Sequence, residues 1–131
     1  MPEFSSTVRV RYAETDKMGV AYHANYFVWF EVARCNLLRS LGSTYRDLEE
    51  RGVMLPVIEA RCAYRAPARY DDELEIRTSG ALLSPARVEF TYAVRRRADG
   101  AALAEGRTEH AVVDQRGRPR RLPEDIQGVL A

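Results

Sequence analysis

Little in this sequence speaks for a metal, a disulfide framework or a membrane. There are two cysteines, Cys35 and Cys62, both in apolar patterns and without CxxC spacing. They read as reduced core residues of a cytoplasmic protein. The two histidines, His23 and His110, have no Cys or carboxylate partners at ligand spacing, so no metal site is expected. Charge nearly cancels: 20 basic and 19 acidic residues leave a formal +1, and no global field draws the chain to nucleic acid or anionic membranes. A local run, Arg116, Arg118, Arg120 and Arg121, reads as a solvated turn rather than a binding patch. The start, MPEFSSTVRV, lacks a basic n-region followed by an apolar h-region, so no signal peptide is expected. No G-x-G-x-x-G or Walker pattern supports dinucleotide or NTP binding, and no serine sits in a G-x-S-x-G turn. With no repeat or low-complexity stretch, 131 residues at 46% hydrophobic composition make one domain, residues 1–131, with a sizeable core.

What is there centres on Tyr12 to Leu41, a strand end, an acidic loop and a long apolar helix. From Asn25 to about Leu41, Tyr26, Phe30, Ala33, Leu37 and Leu41 share one helical face, and Phe27, Arg34 and Leu38 widen it. Val28, Val32 and Cys35 lie on the opposite flank, which leaves a narrow polar face and predicts a helix buried nearly all round. Glu31, Arg34 and Arg39 make it too charged for a membrane span. Gly42 suits its C-terminal stop.

The rest reads mainly as strands. Met1–Thr7 is expected as a short tail. Val8, Val10 and Tyr12 alternate with Arg9 and Arg11 as a first strand. Ser43–Gly52 is expected as a short helix capped by Ser43 or Thr44, with Tyr45 and Leu48 inward. Further strands follow at Val57–Arg65, about Leu74–Leu82, about Val88–Val94 and about Ala102–Val113, with Asp99-Gly100 as a hairpin turn. Leu122–Leu130 is expected as a terminal helix. One apolar helix and a long antiparallel sheet, joined by tight turns, make an α+β domain with the sheet curled round the helix.

The loop is too rich in chemistry for a plain connector. It holds Glu14, Asp16, Gly19, Tyr22, His23 and Asn25. An isolated Asp before a helix is ordinarily a cap or turn residue. Asp16, however, lies too far from the first helical turn, near Ala24, to cap it simply. Glu14, two residues earlier, is an alternative acid and otherwise a solvated charge. The amide groups from His23 onward are the unpaired donors of a helix N-terminus, suited to an oxygen that gains negative charge during a reaction. The His23 imidazole reads equally as an orienting group or as a satisfied histidine at a helix start. Asn25 reads as a residue that holds the loop. His110 reads as a core or interface residue.

The stretch YAETDKMGVAYHANYFVWFEVAR resembles the signature of hotdog-fold acyl-CoA thioesterases of the 4-hydroxybenzoyl-CoA thioesterase type, and more closely the branch associated with the Tol-Pal system. Asp16, Gly19, Tyr22, His23, Asn25, Tyr26, Phe30 and Glu31 carry the resemblance. It implies a hotdog fold, an antiparallel five-stranded sheet wrapped round one long central helix, assembled as a homodimer or homotetramer. It implies hydrolysis of an acyl-CoA thioester without a cofactor, with Asp16 as general base or nucleophile and the His23 backbone amide as oxyanion donor. Tyr22 and Asn25 stand beside them as substrate-binding candidates. Other readings are hydrolysis of thioesters on acyl carrier protein, and a non-catalytic domain that binds an acyl group or a partner protein. No arginine is singled out for CoA; Arg65, Arg69, Arg87 and Arg95–Arg97 are all open to that role.

Overall fold

The computed structural model describes residues 2–131. Five strands form one antiparallel sheet: β1 (Glu3–Arg9), β2 (Val57–Tyr64), β3 (Glu73–Ser84), β4 (Arg87–Arg96) and β5 (Ala102–Ala111). Their spatial order is β1-β3-β4-β5-β2, so β1 and β2 are the edges. Helix α1 (Asn25–Ser40) crosses the sheet, packing chiefly on β1 and β3; α2 (Tyr45–Glu50) and α3 (Glu124–Leu130) are short.

The register puts every second residue of the central strands under α1. Ile76, Thr78 and Gly80 on β3 pair with Val94, Tyr92 and Phe90 on β4. Those three pair in turn with Ala104, Gly106 and Thr108 on β5. All but Gly106 are buried, and so are Leu74, Val88 and His110 on the same face. This is the alternation expected for half-buried strands. Turn chemistry follows too: Gly100 takes φ of 70° in the β4–β5 turn, where a side chain would be strained.

Helix α1 turns Tyr26, Trp29, Phe30, Ala33, Arg34, Leu37 and Leu38 inward. Phe30 lies flat on the Tyr92 ring, centroids 4.2 Å apart and planes 9° off parallel. It also fills the space a side chain at Gly106 would need, since a Cβ built there collides with the Phe30 ring. The missing Cβ is what lets α1 settle onto β5. Thr44 caps α2, its hydroxyl accepting from the Asp47 amide at 3.1 Å while the Asp47 carboxylate accepts from the Thr44 amide at 3.2 Å.

Three expectations need correction. Residues from Glu3 onward are not a tail: Glu3–Arg9 pairs along Glu73–Ser79, because an edge strand takes its order from its neighbour's backbone rather than from its own apolar pattern. Met1 lies outside the described residues. Tyr12 does not extend that strand; it opens a single 3-10 turn, Tyr12–Glu14, and stacks on Tyr70 in the open. Helix α1 is not buried all round either. Val28 is 54% and Val32 40% exposed, because the sheet covers one side of the helix and no element among the described residues covers that flank.

Candidate active site

The acidic segment leaves the sheet at Val10 and is folded by local hydrogen bonds. Asp16 donates its amide to Val20 O at 2.9 Å, and Gly19, at φ of 79°, donates to Asp16 O at 3.0 Å. One Asp16 carboxylate oxygen accepts the Met18 amide at 2.8 Å. The turn reading of Asp16 is therefore true of half its carboxylate. The second oxygen carries no hydrogen bond among the described residues. The loop is pinned to the segment after β2, where Ala21 donates to Ala68 O at 2.8 Å.

The chain then reaches α1. Asn25 donates its amide to Tyr22 O and Tyr26 to His23 O. The residue before the helix, Ala24, supplies no side-chain cap. Neither the His23 nor the Ala24 amide donates to a carbonyl among the described residues. Such free donors, at the positive end of the helix dipole, favour an anionic oxygen. The His23 carbonyl is held from the end of β2, accepting the Tyr64 hydroxyl at 2.8 Å.

Asp16 and His23 line one cavity of about 340 Å³, together with Tyr26, Tyr64 and Arg65. Burial raises the Tyr26 phenol above its ordinary value, so it stays protonated and uncharged. The arrangement offers a carboxylate, free main-chain donors and an aromatic wall in one open cleft. That set can hold an electrophilic carbonyl, deliver water or a carboxylate to it, and stabilise the oxyanion formed.

The other candidates are placed differently. Tyr22 is exposed and rests its ring against His23 at 4.5 Å, without lining the cavity. Asn25 turns its side chain inward, giving its amide to Glu14 O at 2.8 Å. Glu14 is not a solvated charge. It is 5% exposed and accepts from the Arg11 amide at 2.8 Å and the Trp29 indole at 3.0 Å. The charge is buried because three donors surround it, the Arg11 guanidinium being the third at 3.5 Å. His110 sits in the core, away from this cavity. Sequence reasoning missed Tyr64. Alternation along β2 gives the face of that side chain, but nothing local says that it meets a loop 41 residues earlier.

Residues 10–130 match the model of the thioesterase-like superfamily. The chain is 46% identical to the putative acyl-CoA thioesterase YneP of Bacillus subtilis over 71 residues, 54% of this chain and 51% of that one. It is 36% identical to the acyl-CoA thioester hydrolase YbgC of Escherichia coli over 124 residues, 94% of this chain and 92% of the relative. Among solved structures it resembles a DHNA-CoA thioesterase from Staphylococcus aureus, with 32% identity, a TM-score of 0.91, and 98% of this chain and 91% of that chain covered. The family match runs unbroken from the acidic loop through α1 to the terminal helix, and the chain belongs to the thioesterase-like superfamily, with its hotdog fold.

Proposed function

We propose that the protein is an acyl-CoA thioesterase that cleaves a thioester to a free acid and CoA. The observation that carries this reading is the meeting, in one cavity, of the half-free Asp16 carboxylate and the uncapped start of α1 at His23. Asp16 takes a proton from water as the water oxygen attacks the thioester carbonyl. The oxyanion rests on the His23 amide. The C–S bond then breaks and the CoA thiolate leaves, taking the proton back. In the alternative route the Asp16 carboxylate itself attacks, expelling the thiolate, and water hydrolyses the resulting anhydride. Both routes need the carboxylate within ~3 Å of the reacting carbon or its water. Tyr22 packs against His23 beside the cavity, and Asn25 holds the loop in place.

In this reading the sheet curls round α1, and two copies join along β2, an edge strand with Val57, Ile58 and Tyr64 exposed. An antiparallel self-pairing sets the Tyr64 end of one strand beside the Val57 end of the other. It thereby brings a second cavity, about 490 Å³ and walled by Val53, Met54, Leu55 and Pro56, next to the partner's Asp16 site. The acyl group lies there. The two free cysteines suit a reducing compartment, the cytoplasm.

The test is thiol release from short, long, hydroxylated and aromatic acyl-CoAs by wild type and Asp16→Asn, with folding checked by circular dichroism. Wild type is expected to cleave at least one class, and folded Asp16→Asn to lose about 10²-fold or more. His23→Ala is expected to lose less, because the donor is main-chain. Equal rates for wild type and Asp16→Asn would remove Asp16 from the mechanism, and no cleavage of any thioester would end the reading.

A further inference from the structure

Glu14 stands two residues from Asp16, yet it does not line the cavity and its carboxylate is surrounded by donors. It cannot be the working acid. Its bonds instead run to both halves of the site. Through its side chain it reaches the Trp29 indole, on the buried face of α1, at 3.0 Å. Through its own backbone carbonyl it accepts the Tyr22 amide at 2.7 Å and the Asn25 side chain at 2.8 Å. Tyr22 directly precedes His23, and Asn25 is the first residue of α1.

We propose that Glu14 is the positioning residue of this site: one buried side chain that locks the acid loop to the start of α1 and so sets the Asp16 carboxylate against the His23 amide. This rests on the thioesterase reading of Asp16 and His23. The physical case is that the large apolar side chains flanking the acid, Tyr12, Met18 and Tyr22, are all exposed, while the loop's buried anchor, Ala21, lies on the far side of the turn from Glu14. A reacting carboxylate displaced by ~1 Å can cost about 10²-fold in rate. Glu14 ties the near side of the loop to the core at Trp29.

The choice of a carboxylate also follows. Arg11 N–H and Trp29 Nε1–H approach different oxygens, Oε1 and Oε2. Only a side chain with two acceptor oxygens satisfies both. Glutamine has the same shape but would turn its NH2 toward one of the two donors, leaving a buried N–H facing N–H.

The experiment compares wild type, Glu14→Gln, Trp29→Phe and the double variant, using thiol release and 1H–15N spectra. Trp29 is the only tryptophan, so its indole gives a single side-chain signal that reports the Glu14 bond directly. In Glu14→Gln we expect that signal and the amide signals of Asp16, Gly19 and His23 to shift together, while those of β4 stay in place. We expect kcat to fall about 10- to 10²-fold with KM altered less than about threefold, since alignment and not binding is lost. The double variant should be no worse than Glu14→Gln, because both changes break the same tie. Trp29→Phe keeps the carboxylate and carries the test if Glu14→Gln does not fold. Unmoved Asp16 and His23 signals, an unchanged kcat, or additive losses in the double variant would each overturn the proposal. Absence of thiol release from wild type would instead sink the thioesterase reading, and the spectra would still decide whether Glu14 holds the loop.

Discussion

His110 is fully enclosed, and its two ring nitrogens are both engaged. Nδ1 meets Leu55 O and Nε2 meets Thr108 Oγ1, each at 2.9 Å, and Thr108 meets the Tyr92 hydroxyl at 2.6 Å. A carbonyl can only accept, so Nδ1 carries the proton. Nε2 then accepts from Thr108, and Thr108 accepts from Tyr92. The neutral ring satisfies every bond, whereas a second proton would put a full charge in the apolar core. Burial accordingly holds the His110 pKa down to about 4, against 6.5 for an ordinary histidine. Below pH 6.5 the unfolded chain gains a proton that the folded one refuses until about pH 4. Stability from this group is therefore complete above pH 6.5 and is lost as pH falls toward 4, amounting to about 3 kcal/mol over the window. In urea unfolding, His110→Gln should start less stable at pH 7 but lose less between pH 7 and 4.5 than wild type. Parallel losses in the two proteins would show that His110 is not the group responsible.

At the scale of elements, the position of α1 depends on a residue that is not in α1. Phe30 occupies the space above Gly106, and its ring is stacked on Tyr92 from the next strand. Gly106→Ala would push the helix from β5 or force Phe30 off its rotamer, at a cost of about 1–3 kcal/mol. In a chain of this size that lowers the melting temperature by several degrees. Gly128 in α3 is the matched contrast, because a Cβ there meets nothing within 4 Å. Gly128→Ala should leave stability unchanged or raise it by up to about 1 kcal/mol. Melting curves of the two variants against wild type decide the point; equal midpoints would mean that α1 does not rest on Gly106.

For the whole molecule, the two sheet edges differ. Edge β1 is mostly Ser, Thr and charged residues, with Phe4 its one exposed large apolar side chain, while β2 exposes Val57, Ile58 and Tyr64 in a row of eight residues. An open edge with apolar side chains invites another strand, and the proposed closure is a second copy of β2. Ile58→Lys places a charge in that seam without touching Asp16 or His23. Sedimentation should find wild type at twice the mass of the chain or a higher even multiple, and Ile58→Lys shifted toward the single chain, with thiol release falling in step. A wild-type protein at the mass of one chain would refute the joined-edge arrangement.

Periodicity in the sequence determined the inward faces of β3, β4 and β5 and the apolar stripe of α1, because those patterns repeat at the spacing of the backbone itself. The same reading placed Asp16 and His23 at the mouth of the helix, since a loop and a helix start that adjoin in sequence adjoin in space. Tertiary structure alone decided that Glu14 is buried, that Tyr64 reaches His23, and that Val28 and Val32 stay exposed. Each of these depends on what another segment brings or withholds. An acid two residues from the site looks like a surface charge until Trp29, a full turn into α1, supplies its donor. A residue's pattern states which way it faces; only the packed chain states what it meets there.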